Sequence, residues 1–356
     1  MKGSPAIPGL AFEHTAQKAV VDLLARVGTV TSSNPQPRVH RGIDFVIDLE
    51  ESGRSHLLVV ECKTGGQPRQ IREALLQLRF YTDQHREAVP LLVVPYLSEK
   101  ARSLCDDFHV NYLDLVGNCR LVFGGIFIER QTAEKPPVER RHLKAVFQPQ
   151  SARLLRRMLR EPTRIWRVSE LAQETGVSLG HVSNVKKALI DREWAVASPS
   201  GFHIDRADCL LDAWREVYEQ PKSELFYTAL HGDAFQVAAR ESFAECRTRR
   251  VNAVFASFSA ARWLAPFGRT STEFFYADSA ALHVLIGPLR LKSSAEGGNV
   301  VVMVPKDESV FLDKVEVAPG VDCTSPVQTF LDLSIAGDRG REAADHLRRK
   351  GTHWPQ

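Results

Sequence analysis

The sequence predicts a protein of the mixed α/β class that contains more than one domain. Strand-like runs alternate with amphipathic helical patterns along most of the chain, as expected for helices packed on mixed sheets. The 356 residues are 44% hydrophobic, which is enough for two or three packed domains. Acidic and basic residues are interspersed and make up 25% of the chain, so a globular protein is expected.

The first 135 residues show the clearest alternation. Helical patterns cover 13–27, 69–86 and 98–108, and strand patterns cover 43–49, 56–62, 91–95, 110–115 and 120–128. A segment rich in charge and proline follows, and we assign residues 136–150 to a linker. We therefore expect an α/β domain over residues 1–135.

Residues 42–63 predict a β-hairpin with candidate catalytic residues at its open end; their sequence is GIDFVIDLEESGRSHLLVVECK. If Ser52 and Gly53 form a two-residue turn, Asp44 falls directly opposite Glu61. Side chains alternate between the two faces of a strand, so Lys63 emerges on the same face as Glu61. The pattern therefore predicts that Asp44, Glu61 and Lys63 converge on one spot.

The neighbouring residues are apolar on both faces of this hairpin, which predicts a sheet covered on both sides. Two like charges opposite each other in such a sheet repel. A hard divalent cation held by carboxylate oxygens would offset that repulsion. We therefore expect Mg²⁺ or Mn²⁺ bound by Asp44 and Glu61, with Lys63 placed to orient water or stabilise a phosphate.

Asp44, then Glu61-Cys62-Lys63 after a turn, then an amphipathic helix resembles the core of the PD-(D/E)XK nucleases. The resemblance covers about residues 9–130 and is greatest to the Holliday-junction-resolvase and restriction-endonuclease-like branches. It implies an α/β/α core and a metal-dependent deoxyribonuclease. It also implies that Glu13 of the first helix and Gln77 of the following helix join the catalytic set. One departure is Ile43, which stands where the family motif has proline.

A purely structural interpretation of these residues stays open. Glu61 and Lys63 would then form an ion pair at a strand end, and Asp44 would cap a turn. Glu13 and Gln77 would be solvated residues on helix faces.

Residues 151–206 predict a winged helix-turn-helix. Helical patterns cover 151–160, 169–176 and 179–192, a short strand is expected at 164–168, and strands at 195–198 and 202–204 would form the wing. Nine Lys and Arg stand against five Asp and Glu between residues 151 and 194, which favours contact with phosphates. We expect the DNA-binding residues to be Ser178, His181, Asn184, Lys186, Lys187, Arg153 and Arg157. A winged helix used only for packing or dimerisation is the alternative.

Residues 207–356 predict a C-terminal α/β domain, with strand patterns at 251–258, 281–286 and 300–305 and a helix pair at the end. SPVQTFLDL and GDRGREAADHL, together with the helix-turn-helix, resemble the type IV abortive-infection antitoxin family over about residues 151–350. That resemblance implies DNA-binding regulation. We interpret Asp332, Asp338, Arg339 and Glu342 as helix-cap and surface residues, because no nucleophile accompanies them.

Three functions follow from these patterns. The first is a Mg²⁺-dependent endonuclease, the second is a non-catalytic winged-helix regulator, and the third is a resolvase-type enzyme that cuts as a dimer. All three predict DNA as the partner, and a homodimer is expected because DNA binders commonly pair with two-fold symmetry. The six scattered cysteines favour a reducing cytoplasm, and no apolar run predicts a membrane span.

Overall fold

The computed structural model describes residues 9–35, 43–132, 136–268, 270–305 and 308–350. It confirms the mixed α/β class. The chain divides into two compact units, one of residues 1–140 with 190–193 and the other of residues 141–189 with 194–356. No helix in the described part of the chain is long and apolar enough to cross a membrane.

The N-terminal unit is built on a seven-stranded sheet whose strands follow chain order, β1 to β7. Strands β3, β4 and β5 pair in parallel, and the remaining pairs are antiparallel. Strand β1 was not predicted, because its sequence TVTSSNP is mostly polar. The elements are α1 (Gly9–Leu24), β1 (Thr29–Pro35), β2 (Phe45–Glu51), β3 (Arg54–Cys62), α2 (Pro68–Gln84), β4 (Ala88–Val94), α3 (Glu99–Asp107), β5 (Asn111–Asp114), β6 (Cys119–Phe123) and β7 (Ile126–Arg130).

Both faces of this sheet are buried, as the apolar alternation predicted. Phe45, Ile47 and Val60 pack in one core with residues of α1. Val46 and Val59, which point the other way, pack in a second core with residues of α2 and α3. Helices therefore cover both faces, and the open end of the β2–β3 hairpin lies between two apolar layers.

The predicted linker 136–150 is wrong for most of its length, because helix α4 (Pro137–Val146) occupies it. Helix α5 (Pro149–Arg160) begins before the expected start at residue 151. The linker was predicted from its prolines, but proline also favours the first turn of a helix. The backbone N–H at that position has no acceptor within the helix, so its absence in proline costs no hydrogen bond. Pro137 and Pro149 each begin a helix here.

Three helices and a two-stranded hairpin follow over the residues predicted to form a winged helix-turn-helix, here called the predicted winged module. After α5 come α6 (Val168–Thr175), α7 (Leu179–Asp191), β8 (Ala195–Ser198) and β9 (Gly201–Ile204). Gly176 ends α6 with φ +65°, as the predicted turn requires. The strand expected at 164–168 is only an isolated bridge from Trp166 to Phe202, and Arg167, rather than Ser169, occupies the N-cap of α6.

The rest of the chain contains a second seven-stranded mixed sheet, ordered β13-β10-β14-β12-β11-β16-β15. Its elements are α8 (Ala207–Val217), β10 (Ser223–Tyr227), α9 (Gly232–Arg249), β11 (Ala253–Phe255), α10 (Ser257–Leu264), β12 (Glu273–Ala277), α11 (Ser279–Ile286), β13 (Lys292–Ser293), β14 (Val300–Met303), a 3₁₀ turn (Glu308–Phe311), β15 (Val315–Ala318), β16 (Val321–Cys323), α12 (Pro326–Ser334) and α13 (Gly337–Lys350).

The strand predicted at 281–286 is wrong, because these residues belong to α11. A short apolar run does not distinguish a strand from a buried helix. Asp278 supplies the deciding local signal, since its carboxylate accepts a hydrogen bond of 2.7 Å from the backbone N–H of Ala281 and caps the helix. The expected helix pair at the end of the chain is present as α12 and α13.

Candidate active site and nucleic-acid interface

The β2–β3 hairpin has the register that its turn residues predicted. Phe45 pairs with Val60, and the pairing runs without a bulge to Glu51 and Arg54. Ser52 and Gly53 have φ of +51° and +79°, as a tight two-residue hairpin turn requires. The backbone N–H of Asp44 donates to the carbonyl of Val60 at 2.9 Å, so the ladder continues into the predicted site.

Asp44, Glu61 and Lys63 meet at the open end of this hairpin. The carboxylate of Asp44 accepts a 2.6 Å hydrogen bond from the backbone N–H of Cys62. The Lys63 ammonium donates to Oε1 of Glu61 at 2.5 Å. Glu61 is only 3% exposed, and its second oxygen, Oε2, has no hydrogen-bond partner among the described residues. A buried carboxylate oxygen without a partner is costly, so this site is incomplete as a purely structural ion pair.

Burial dominates the electrostatics of these acids. It raises the pKa of Asp44, although the hydrogen bond from Cys62 and the charge of Lys63 oppose the rise. It also raises the pKa of Glu61, where the hydrogen bond from Lys63 opposes it and the charges of Asp44 and Glu13 add to it. The two carboxylates therefore repel each other in a poorly hydrated place, and a cation beside them would lower both pKa values.

The two other predicted catalytic residues lie in different surroundings. Glu13 is half-buried on α1, close enough for its charge to raise the pKa of Glu61. Gln77 lies exposed on α2, where Ala74, Leu75 and Leu78 face the core. The structure thus brings Glu13 toward the acid pair, whereas the role of Gln77 stays a prediction.

The carboxylates of Asp44 and Glu61 suit a hard divalent cation that takes its remaining ligands from water or phosphate. Within the described residues there is no group of three or more His, Cys, Asp or Glu side chains that could hold a metal ion. Mg²⁺, however, is commonly held by one or two carboxylates with water and phosphate oxygens as the remaining ligands. The unpartnered Oε2 of Glu61, beside the carboxylate of Asp44, fits that requirement.

Helix α7, the third helix of the predicted winged module, presents a polar face. Asn184 and Lys187 are exposed on α7, and Ser178 is exposed just before it. The Ser178 hydroxyl accepts a hydrogen bond from the backbone N–H of His181 at 3.3 Å, so it caps the first turn. His181 is half-buried, with Nε2 at 3.0 Å from the Ser151 hydroxyl, which occupies this ring nitrogen within the module.

The basic residues predicted to contact DNA are partly engaged inside the module. Arg157 binds Glu161 and Glu174, each at 2.8 Å, and its guanidinium lies 4.6 Å from the ring centroid of Trp166. Lys186 lies 5.4 Å from the ring centroid of Phe202, and Arg153 is half-buried on α5. Ser178, Asn184 and Lys187 are therefore the predicted DNA-binding residues that lie exposed.

Asp332 corrects a prediction, because it is completely buried rather than a surface residue. Its Oδ1 accepts hydrogen bonds from the Tyr218 hydroxyl at 2.6 Å, the Tyr276 hydroxyl at 2.9 Å and the Gln328 amide at 3.0 Å. Burial raises the pKa of Asp332 to about 6. Sequence reasoning missed this cluster, because Tyr218 and Tyr276 are far from α12 in the chain and form no local motif with Gln328 and Asp332.

Comparison with known proteins does not assign the chain to a family. No family model matches the chain, and no curated protein matches it. Among solved structures, EndoMS in apo form is 18% identical with a TM-score of 0.21, covering 28% of this chain and 45% of that one. An EndoMS–dsDNA2 complex is 17% identical with a TM-score of 0.21, covering 32% of this chain and 47% of that one. The chain thus matches less than half the length of either protein, so its function must be inferred from its own residues.

Proposed function

We propose that the chain is a DNA-binding, Mg²⁺-dependent endonuclease whose N-terminal unit hydrolyses phosphodiester bonds. The observation that carries this proposal is the buried Oε2 of Glu61, which lacks a partner among the described residues although it lies beside Asp44 and Lys63. A site that served only stability would satisfy or remove such an oxygen. The predicted winged module supports DNA as the substrate, because α7 exposes Asn184 and Lys187.

In this proposal, Asp44, Glu61 and Lys63 have separate roles in hydrolysis. Asp44 and Glu61 would hold the cation, which when bound supplies positive charge to a phosphodiester and acidifies water. The backbone N–H of Cys62 fixes the carboxylate of Asp44, so this ligand is oriented in advance. Lys63, which is 29% exposed, remains accessible to an incoming phosphate or water and would place its ammonium against the charge that develops there.

Cleavage of plasmid, linear and branched DNA by the full chain in Mg²⁺ or Mn²⁺ tests the proposal. We expect Lys63→Ala to lower the rate at least about a hundredfold, because it removes a charge that stabilises the transition state. Glu50→Gln is the matched control, since Glu50 is an exposed acid on β2 whose loss leaves the site intact. Equal cleavage by all three proteins would contradict the assignment to Lys63.

A non-catalytic DNA-binding regulator is the second candidate. It is favoured by the internal contacts of the acid pair, since Asp44 already accepts from Cys62 and Lys63 already binds Glu61. Failure to cut any of the three DNA forms, together with tight and salt-dependent binding of duplex DNA, would support this candidate over the nuclease. A homodimer stays a prediction for either function.

A further inference from the structure

The second unit contains a cavity of about 670 Å³ that neither proposed function uses. It lies among the first turns of α9, the end of α10 and the start of β12, all of which belong to the second unit. Its volume is in the range of sites for small molecules, about 300–1,000 Å³. The cavity can therefore hold a small molecule, and its lining residues determine which kind.

Three buried polar atoms at this cavity have no hydrogen-bond partner among the described residues. They are Nε of Arg262, Nε1 of Trp263 and Oε1 of Gln236, and all three side chains line the cavity. A buried polar atom without a partner costs about 1–3 kcal/mol. Two N–H donors and one carbonyl acceptor therefore favour a molecule that both accepts and donates hydrogen bonds at this place.

Glu273 fixes two of these side chains. Its carboxylate accepts hydrogen bonds from Nη1 and Nη2 of Arg262 at 2.9 and 2.7 Å. Oε1 of Glu273 also accepts from Nε2 of Gln236 at 3.4 Å. Because both side chains are held on the same carboxylate, the unpaired Nε–H of Arg262 and the unpaired Oε1 of Gln236 belong to one wall of the cavity, and that wall is ordered before a ligand binds.

The charges at the cavity favour a neutral ligand. Glu273 offsets the charge of Arg262, and the described lining residues include no lysine and no second arginine. Asp233, exposed in the first turn of α9, adds a negative charge. An anion would gain no free cation and would be repelled by Asp233. A cation is disfavoured as well, because an ammonium has no lone pair for the two unpaired N–H donors.

Hydroxyl groups match this wall. A hydroxyl has lone pairs for the N–H donors of Arg262 and Trp263 and a proton for Oε1 of Gln236. The carboxylate of Asp233 and the hydroxyl of the exposed Ser271 line the same cavity and can bind further hydroxyls. We propose that the cavity binds a neutral ring that carries several hydroxyls, either a free sugar or the ribose of a nucleoside.

Saturation-transfer NMR on the full chain tests this site with glucose, ribose and adenosine as neutral probes. Their charged counterparts are glucuronate, ribose 5-phosphate and AMP. We expect at least one neutral probe to bind, about two- to fivefold more tightly than its charged counterpart, because Asp233 repels the anion. Binding of glucose or ribose indicates a free sugar, whereas binding of adenosine without either sugar indicates a nucleoside.

A probe without hydroxyls separates recognition of the ribose from recognition of the base. If adenosine binds, 2′,3′-dideoxyadenosine should bind at least about fivefold more weakly, because it leaves buried donors and acceptors without a partner. Equal binding of the two would overturn the proposal. So would binding of none of the three neutral probes, since water alone would then satisfy the three buried atoms.

Variants locate the binding. Gln236→Leu removes the carbonyl acceptor and should weaken the neutral probe at least about fivefold. Asp233→Asn should abolish the preference for the neutral probe over its charged counterpart. Glu241→Gln, which changes an exposed acid of α9 outside the cavity, is the matched control and should alter neither quantity.

Urea unfolding of each variant establishes that it folds like the wild type. Wild-type affinity in a folded Gln236→Leu, or tighter binding of the charged counterparts, would contradict the proposal. The exposed position of Asp233 keeps the test decisive if Gln236→Leu does not fold. Nuclease activity enters none of these measurements, so failure here and failure of the proposed hydrolysis are distinguishable.

Discussion

Replacing Asp332 by asparagine should remove a pH-dependent loss of stability from the second unit. Asp332 is completely buried, and burial raises the pKa of its carboxyl from 3.8 to about 6. The folded state therefore prefers the protonated acid. The contribution of Asp332 to the free energy of unfolding is therefore greatest below pH 3.8, the pKa of this carboxyl in the unfolded chain. That contribution falls as the pH rises toward 6, the pKa in the folded state, and above pH 6 it is lost.

The size of the effect follows from that shift. Each pKa unit corresponds to about 1.4 kcal/mol, so ionised Asp332 costs the folded state on the order of 3 kcal/mol. Asparagine keeps an oxygen that can accept from Tyr218 and Tyr276 but carries no charge. The free energy of unfolding of Asp332→Asn minus that of the wild type should thus grow by roughly 2–3 kcal/mol between about pH 4 and pH 7.5, since part of the full effect is already lost at pH 4.

Tryptophan fluorescence during urea unfolding is a suitable assay. Four of the five tryptophans, Trp166, Trp194, Trp214 and Trp263, lie in the second unit, and the described part of the first unit has none, so their signal reports the second unit. The fifth, Trp354, lies outside the described residues. Taking the difference between variant and wild type at each pH cancels the titration of the other groups. A difference that stays constant from about pH 4 to pH 7.5 would refute the reasoning, because it would mean that Asp332 titrates alike in the folded and unfolded chains.

The remaining predictions concern the acid pair and the predicted winged module. Mg²⁺ at about 10 mM should stabilise the first unit by about 1.4 kcal/mol for a site with a Kd near 1 mM. Calorimetry should show no such gain in Glu61→Gln, and an equal gain in that variant would exclude Glu61 as a ligand. In anisotropy titrations with EDTA and several salt concentrations, Lys187→Ala should reduce the slope of log K against log salt by about 1. Asn184→Ala should cost about 1–3 kcal/mol only on the preferred DNA sequence. If both variants bind like the wild type, α7 does not read DNA.

The hairpin was predictable from sequence because its determinants are local. Ser52 and Gly53 accept the positive φ of a tight turn, and once the turn is placed, every pair up to Phe45 and Val60 follows. The apolar alternation then required burial on both faces, and the structure has it. The meeting of Asp44 with Glu61 was deduced from that register alone.

Local signals misled the prediction where one pattern fits two structures. Pro137 and Pro149 mark linkers in many chains but begin helices here. The apolar run of α11 fits a strand or a buried helix equally well. Strand β1 was not predicted from the sequence, because its residues are mostly polar. It is a strand because it pairs with β2, and its own composition does not indicate one.

By itself, the sequence determined the α/β class, the hairpin register and the convergence of Asp44, Glu61 and Lys63, because turn chemistry and strand alternation act between near neighbours. Tertiary structure decided which charges are buried. It left Oε2 of Glu61 without a partner among the described residues, and it placed Arg156 and Asp332 inside the second unit. Burial of these side chains depends on contacts between elements that are distant in the chain, such as α5, β12 and α12. A local sequence pattern does not indicate which of these elements will meet.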